Sequence, residues 1–451
     1  MTAALVDRSP HGLSVRDCQM KLKELKALLK HHEAGILDAL YQDLRKHPLE
    51  AYASEISVIH HEIDLFISRL KDWRRPKSVG ANWLNPAHLT ARAEIYPEPK
   101  GRVLIIGAWN YPFHLSLLPC VGAFAAGNRF VLKPSELSSH TSRILKKLLS
   151  DWLKPEIGLV VEGDGNTSTE LLKERWDHVF FTGGTEIGKK VMQAAAATLS
   201  PVTLELGGKS PCLLDETAPL ETSLKRILWG KFYNAGQTCV APDYLLAPQA
   251  LESKVVSMSR EILRGFFGDE PQKSPDYGRV INDRHFQRLE SLKRAAKVSV
   301  GGDSDSNDRF IAPTILQDVD LDSNLMRDEI FGPLLPVIPY QNLDEALSVI
   351  LQREKPLAFY IFSQDSERIE RMKRLISAGG ICINDTLVHL GNLELPFGGI
   401  GHSGMGSYHG YESFRTFTHF KAIEQKSLKG DLALRYPPYR MKLTSFLKKW
   451  I

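Results

Sequence analysis

Between Val103 and Asn128 the chain carries no Asp, Glu, Lys or Arg. A stretch of that length is long enough to span a bilayer. Asn110, Pro112, His114 and Pro119 interrupt it, however. Val103-Leu-Ile-Ile-Gly107 has the continuous apolar pattern of a strand covered on both faces. Asn110-Tyr-Pro-Phe113 reads as a turn, and a helix is predicted to begin near His114. A strand, a loop and a helix, all interior to an α/β core, account for the run better than a membrane span.

The same pattern continues. Phe130-Val-Leu-Lys133, Gly158-Leu-Val-Val161 and His178-Val-Phe-Phe181 follow at α/β spacing, with helical stretches between them. This predicts a parallel sheet with crossover helices. A second α/β unit is predicted from Pro211-Cys-Leu-Leu214, with strands at Asp243-Tyr-Leu-Leu246 and Ile381-Cys-Ile383. Ahead of both, residues 14 to 72 read as helices, because Leu22, Leu25, Leu29, Ile36 and Leu40 recur at helical spacing. Pro48 marks a break, and Ile56, Ile59, Ile63 and Leu70 form a second run. His31-His32 and His60-His61 are read as solvated helix-face residues, since no cluster of further ligands accompanies them. Leu89 to Tyr96 has strand-like stretches, which Pro97 and Pro99 are expected to end.

The length, 451 residues, exceeds one ordinary core and predicts two or three domains. A net charge of +4 is small for that length and speaks against a dedicated nucleic-acid binder. The five cysteines, at 18, 120, 212, 239 and 382, form no C-x-x-C pair. That fits a reducing compartment and speaks against a disulfide framework or a zinc site. Met1 to Gly12 holds no apolar core of signal-peptide length, so a cytoplasmic location is expected.

Within this frame Asn234-Ala-Gly-Gln-Thr-Cys239-Val stands out. A thiolate attacks carbonyl carbon well. Glu205-Leu-Gly-Gly-Lys209 supplies a carboxylate on a turn with little bulk around it, suited to a general base. Cys239 alone reads more readily as a small buried apolar residue. The surrounding motifs decide.

Leu204-Glu205-Leu-Gly-Gly-Lys-Ser-Pro211 and Gly236-Gln-Thr-Cys239 resemble the paired signatures of the aldehyde dehydrogenases. Gly107-Ala-Trp-Asn110-Tyr-Pro-Phe113, Leu132-Lys-Pro-Ser-Glu136, Phe181-Thr-Gly-Gly184, Glu329-Ile-Phe-Gly-Pro333 and Leu395-Pro-Phe-Gly-Gly399 match in order and span nearly the whole chain. The short N-terminus and Gly401-His-Ser-Gly-Met-Gly-Ser-Tyr-His-Gly410 resemble the class 3 branch, which includes fatty aldehyde dehydrogenases. The resemblance implies two parallel-sheet α/β domains with a small β bridging element. Residues 1–80 and 101–207 would bind the dinucleotide, 208–390 would carry the nucleophile, and 81–100 with 391–451 would form the bridging and dimerisation element and the C-terminal tail. A homodimer is implied.

The resemblance also assigns roles. Cys239 would attack the aldehyde, Asn110 and the Cys239 N–H would hold the oxyanion, and Glu205 would activate the hydrolytic water. No G-x-G-x-x-G that follows a predicted strand and opens a helix is present. The nearest counterpart, Phe180-Phe-Thr-Gly183-Gly-Thr-Glu-Ile-Gly188-Lys-Lys190, follows a strand and opens a helix, as a dinucleotide turn does. The expected cofactor residues are Lys133, Glu136, Thr182, Gly183, Gly184, Gly188, Leu206, Gly207, Glu329 and Phe331. Glu136 would bind the ribose hydroxyls and repel a 2′-phosphate, which favours NAD. Lys133 would partly offset that repulsion, so NADP is kept as a second cofactor.

Tyr111, His114, Trp229, Tyr233, Thr238, Leu390 and Phe397 are expected at the substrate. Most are apolar or aromatic, which points to medium- or long-chain aliphatic, aromatic or apocarotenoid-like aldehydes. Leu443, Phe446, Leu447 and Trp450 share one helical face of a basic tail. It is expected to pack on the protein, with peripheral membrane contact at most. Three rival readings remain: a cysteine ester hydrolase, a coenzyme A-acylating dehydrogenase and a non-catalytic protein that retains the fold.

Overall fold

The computed structural model describes residues 10, 12–80, 88, 91–429 and 436–438. The helices Val15–His31, Glu33–Leu44 and Ser57–Trp73 occupy the predicted N-terminal region. Leu22, Leu25, Leu29, Ile36 and Leu40 are fully buried, each contributing roughly 1.5–3 kcal/mol of burial. Pro48 does not only break a helix. It starts the short helix Pro48–Ala51, where its missing N–H costs nothing. A π-helical turn, Tyr52–Ile56, continues from it. His31 and His61 are exposed. His60 corrects the expectation of a solvated residue: it is only 7% exposed, and its Nδ1 lacks a hydrogen-bond partner. Position on the buried side of its helix, not polarity, decided that.

The uncharged run folds as predicted into strand Arg102–Ile106, a turn and helix His114–Ala126. Every residue from Leu115 to Ala126 is buried, and Pro119 is accommodated inside the helix. No helix among the described residues is long and apolar enough to cross a membrane. Arg102–Ile106 lies within a six-stranded sheet. Its order is Gly404–Met405, Val202–Glu205, His178–Thr182, Arg102–Ile106, Arg129–Lys133, Gly158–Val160. All neighbours are parallel except the first pair.

A seven-stranded sheet follows the order Lys297–Val300, Thr314–Gln317, Leu334–Tyr340, Tyr244–Pro248, Pro211–Leu214, Ala358–Phe362, Gly380–Ile383. Only its first pair is antiparallel. The fold is therefore α/β, built on two large, mainly parallel sheets.

Lys77–Val79, Arg92–Pro99 and Thr418–Gln425 form a small antiparallel sheet. Here the structure corrects a boundary: the strand does not end at Pro97 but continues through Pro99, with Pro97 opposite Phe420. Lys77–Val79 pairs only with Ala93 to Ile95. Beyond it the strand has one neighbour, the edge setting in which proline is tolerated. Leu89, Thr90 and the tail from 441 to 451 lie outside the described residues.

Candidate active site

A cavity of about 1100 Å³ opens at the carboxyl ends of the six-stranded sheet, the usual place for a ligand in an open α/β sheet. Gly107 to Asn110, Phe181 to Ile187 and Glu205 to Lys209 form one part of its wall. Cys239, Glu329 and Phe331 form another. The stretches singled out in the sequence as chemical and as cofactor-binding thus meet in one space.

Cys239 is presented by a strained loop. After helix Leu220–Phe232 the chain places Asn234, Ala235 and Gly236 in succession at φ 52°, 51° and 75°. A left-handed backbone is costly for Asn and more so for Ala. The loop is held by buried amides. Gln237 Nε2 donates to the carbonyls of Asn234 (3.1 Å) and Arg279 (2.9 Å), and its Oε1 accepts from the Ile281 N–H (3.0 Å). Beyond the cysteine, Tyr360 OH donates to the Val240 carbonyl at 2.6 Å. Burial, with the charges of Glu329 and Glu205, pushes the Cys239 thiol well above its ordinary value.

Asn110 follows strand Arg102–Ile106 and is 3% exposed. Its Nδ2 donates to the Gln237 carbonyl at 3.1 Å, which ties it to the cysteine loop. Glu205 ends strand Val202–Glu205 and is 3% exposed. Neither of its carboxylate oxygens has a hydrogen-bond partner among the described residues. Burial therefore pushes its pKa well above the ordinary carboxylate value. A thiol and a protonatable carboxyl free to meet a third group share one cavity, and a side-chain amide lies beside them.

The model of the Aldehyde dehydrogenase family matches residues 11–423. The chain belongs to the aldehyde dehydrogenase family.

As a member it is an oxidoreductase that acts on aldehydes with NAD or NADP. It is 47% identical over 428 residues to aldehyde dehydrogenase family 3 member A2 of Macaca fascicularis, covering 94% of this chain and 88% of that protein. It is 46% identical over 425 residues to 4,4'-diaponeurosporen-aldehyde dehydrogenase of Staphylococcus aureus, covering 94% and 92%. The solved structure described as the substrate-bound state of Staphylococcus aureus AldH superimposes with a TM-score of 0.93 at 44% identity, covering 97% of this chain and 95% of that one.

In this aldehyde dehydrogenase the expected cofactor residues divide into two groups. Thr182, Gly183, Gly184, Leu206, Gly207, Glu329 and Phe331 line the cavity. Helix Thr185–Ala196 begins there, its N-terminus directed at whatever anion the cavity holds. Gly207 permits a close approach: a Cβ there would come within 2.0 Å of the Glu329 carboxylate. Burial, then the charge of Asp243, raises Glu329 to about 8. Gly188, Lys133 and Glu136 are not on the cavity wall. Gly188 faces Leu206, whose Cδ2 would lie 2.5 Å from an added Cβ, so its smallness serves packing. Lys133, nearly buried, is ion-paired with Glu136.

Of the expected substrate residues only Phe397 lines this cavity. Tyr111 and Thr238 share a hydrogen bond of 2.6 Å. Tyr233 packs against Tyr111 and lies 5.2 Å, centroid to centroid, from Trp229, which is 41% exposed. His114 lies 5.7 Å from His409, which stacks on Phe397 at 5.1 Å. The Leu390 carbonyl is 3.2 Å from His409 Nδ1.

Several residues of the site escaped the sequence reading. Trp109 lines the cavity between Phe331 (5.2 Å) and His285 (5.0 Å). Leu115 and Tyr408 line it as well. Lys209 is ion-paired with Asp243 and donates to the Leu325 and Asp328 carbonyls at 2.8 and 3.0 Å. Asp243 accepts the Ile330 N–H at 3.0 Å, so the pair fixes the segment bearing Glu329. Trp109 and Lys209 stand inside quoted motifs, and their positions were the available signal. Asp243 carried none, because its partner is remote in sequence.

Proposed function

We propose that this protein oxidises apolar aldehydes (medium- or long-chain aliphatic, aromatic or apocarotenoid-like) to carboxylic acids through acylation of Cys239. The observation that carries the reading is Glu205, buried without a partner in the cavity that holds Cys239. A base so placed suits hydrolysis of an acyl-enzyme, and hence an acid product.

The Cys239 thiolate, the form left once the thiol has given its proton to solvent, bonds to the aldehyde carbon, and the C=O π bond breaks to leave an oxyanion. The Asn110 amide and the Cys239 N–H hold that oxygen, a service worth roughly 10²–10³ in rate per donor. A nicotinamide, when bound, would supply the hydride acceptor, and Cys239 would then carry the acyl group as a thioester. Glu205, in its ionised form, takes a proton from water, the water oxygen bonds to the acyl carbon, and the C–S bond breaks to release the acid and a thiolate that Glu205 reprotonates.

The residues fit a dinucleotide. Thr182 Oγ1 and Glu329 Oε1 are buried without partners, and a helix N-terminus opens beside them. Glu329 would hold the nicotinamide ribose and Phe331 would pack near the ring. Lys133 and Glu136 would meet the adenosine ribose, favouring NAD with NADP as second cofactor. Leu115, Phe397 and Tyr408 give the cavity an apolar side, and Tyr111, His114, Trp229, Tyr233, Thr238 and Leu390 would border the access route. Residues 1–80 with 101–207 and 208–390 are taken as the dinucleotide-binding and catalytic domains. The small sheet would serve a homodimer, in a cytoplasmic protein whose tail makes peripheral membrane contact at most.

Absorbance at 340 nm, with an aldehyde chain-length series and both cofactors, tests the reading. Reduction should strengthen with chain length and vanish in Cys239→Ala. A preference for short aldehydes would discard the apolar substrate. No reduction with any aldehyde would return weight to the ester hydrolase.

A further inference from the structure

Lys46 and Glu55 form an ion pair of 2.5 Å with both side chains fully buried. Two buried charges commonly add little net stability, because desolvation offsets their attraction. What this pair does is visible in its other contacts. Lys46 Nζ donates to the main-chain carbonyl of Asn110 at 2.8 Å. Glu55 Oε2 accepts the N–H groups of Phe113 (2.8 Å) and His114 (3.3 Å). The pair therefore grips both ends of the turn that carries the Asn110 side chain. Its neighbour Glu50 accepts the Asn234 N–H at 3.0 Å. Asn234 Nδ2 in turn donates to the same Asn110 carbonyl at 2.8 Å. All three charged residues come from the segment between the first two N-terminal helices and the third, which includes the π-helical turn Tyr52–Ile56.

We propose that Lys46, Glu55 and Glu50 are positioning residues that clamp the Asn110 turn to the Cys239 loop, so that the Asn110 amide meets the oxyanion. The inference rests on the role proposed above for Asn110. It makes the N-terminal helical segment part of the chemical site, although none of the three touches substrate. Outside the ion pair their hydrogen bonds run to backbone groups, and Lys46 Nζ also lies 4.0 Å over the Tyr111 ring within the same turn, so the clamp acts on loop geometry and leaves cofactor contacts alone.

The test is a double-mutant cycle on the acylation step. Stopped-flow release of p-nitrophenolate from p-nitrophenyl acetate reads acylation of Cys239 without cofactor. Four proteins are compared: wild type, Asn110→Ala, Lys46→Met/Glu55→Gln, and all three substitutions together. Both charges are removed at once because one left alone would be buried and uncompensated. Asn110→Ala should slow the burst roughly 100-fold or more in wild type. Lys46→Met/Glu55→Gln should slow it at least about tenfold while NADH binding, followed by fluorescence, is unchanged. In that background Asn110→Ala should cost about tenfold or less, because an amide already out of place has less left to lose. Equal cost of Asn110→Ala in both backgrounds would overturn the clamp, since a merely structural role predicts additivity. If the charge-free variant does not fold, Glu50→Ala enters the same cycle: coupling to Asn110 supports the clamp and additivity overturns it. The burst needs no cofactor, so the clamp is judged even where wild type reduces none, the result that would sink the dehydrogenase reading.

Discussion

Glu205, at the chemical end of the cavity, is buried with neither carboxylate oxygen partnered among the described residues, and half-buried Glu329 keeps its Oε1 without a partner there. Glu136, at the proposed adenosine end, leaves 43% of its side chain in solvent and pairs with Lys133. The difference separates two uses of an acid. Where burial is deep and no partner is supplied, the neutral carboxyl is favoured and its oxygens stay available to water or ligand. Where solvent and a lysine are at hand, the acid is already satisfied. By this contrast, chemistry belongs to the first end and selectivity to the second.

The largest expected effect breaks the contrast at Glu205. Glu205→Gln should preserve the acylation burst and lower steady-state turnover by about 10²–10⁴-fold. Turnover equal to wild type would remove Glu205 from the mechanism. A smaller effect sharpens the electrostatics of the same end. Burial and two nearby acids raise the Cys239 thiol, so the thiolate is the minority species at neutral pH and grows as pH rises. Alkylation of the cofactor-free protein by iodoacetamide should then accelerate by about tenfold per unit from pH 7 to 9. Mass spectrometry of the wild type and Cys239→Ala would assign the site. A plateau below pH 8 would mean that the thiolate is stabilised instead. The smallest effect belongs to the other end. Glu136→Ala should shift the ratio of NAD to NADP use toward NADP. An unchanged ratio would detach Glu136 from cofactor choice.

Much of the fold was legible because its strands are interior. Val103 to Gly107, Phe130 to Lys133 and His178 to Phe181 are apolar on both faces, a pattern that survives without knowledge of neighbours. The cavity's composition was legible where motif residues are themselves the wall, as with Cys239, Glu205, Asn110 and Glu329. Burial of charge was not legible. His60 read as a solvated helix-face residue and no motif marked Lys46 or Glu55, yet all three are buried. Pro97 and Pro99 read as strand terminators, because the sequence does not say that Lys77–Val79 stops short of them.

The sequence by itself determined the α/β class and the places of the interior strands along the chain, and it singled out Cys239, Glu205 and Asn110 as candidates through the motifs that hold them. These depend on local periodicity and on residue chemistry, both properties of short stretches. Only the tertiary structure decided that Glu205 would stand without a partner and that Gly188 would serve packing. It also decided that an N-terminal lysine would hold the carbonyl of Asn110. Each of these is a contact between residues remote in the chain. Its energy comes from desolvation and from pairing across space, quantities that no stretch of sequence carries alone.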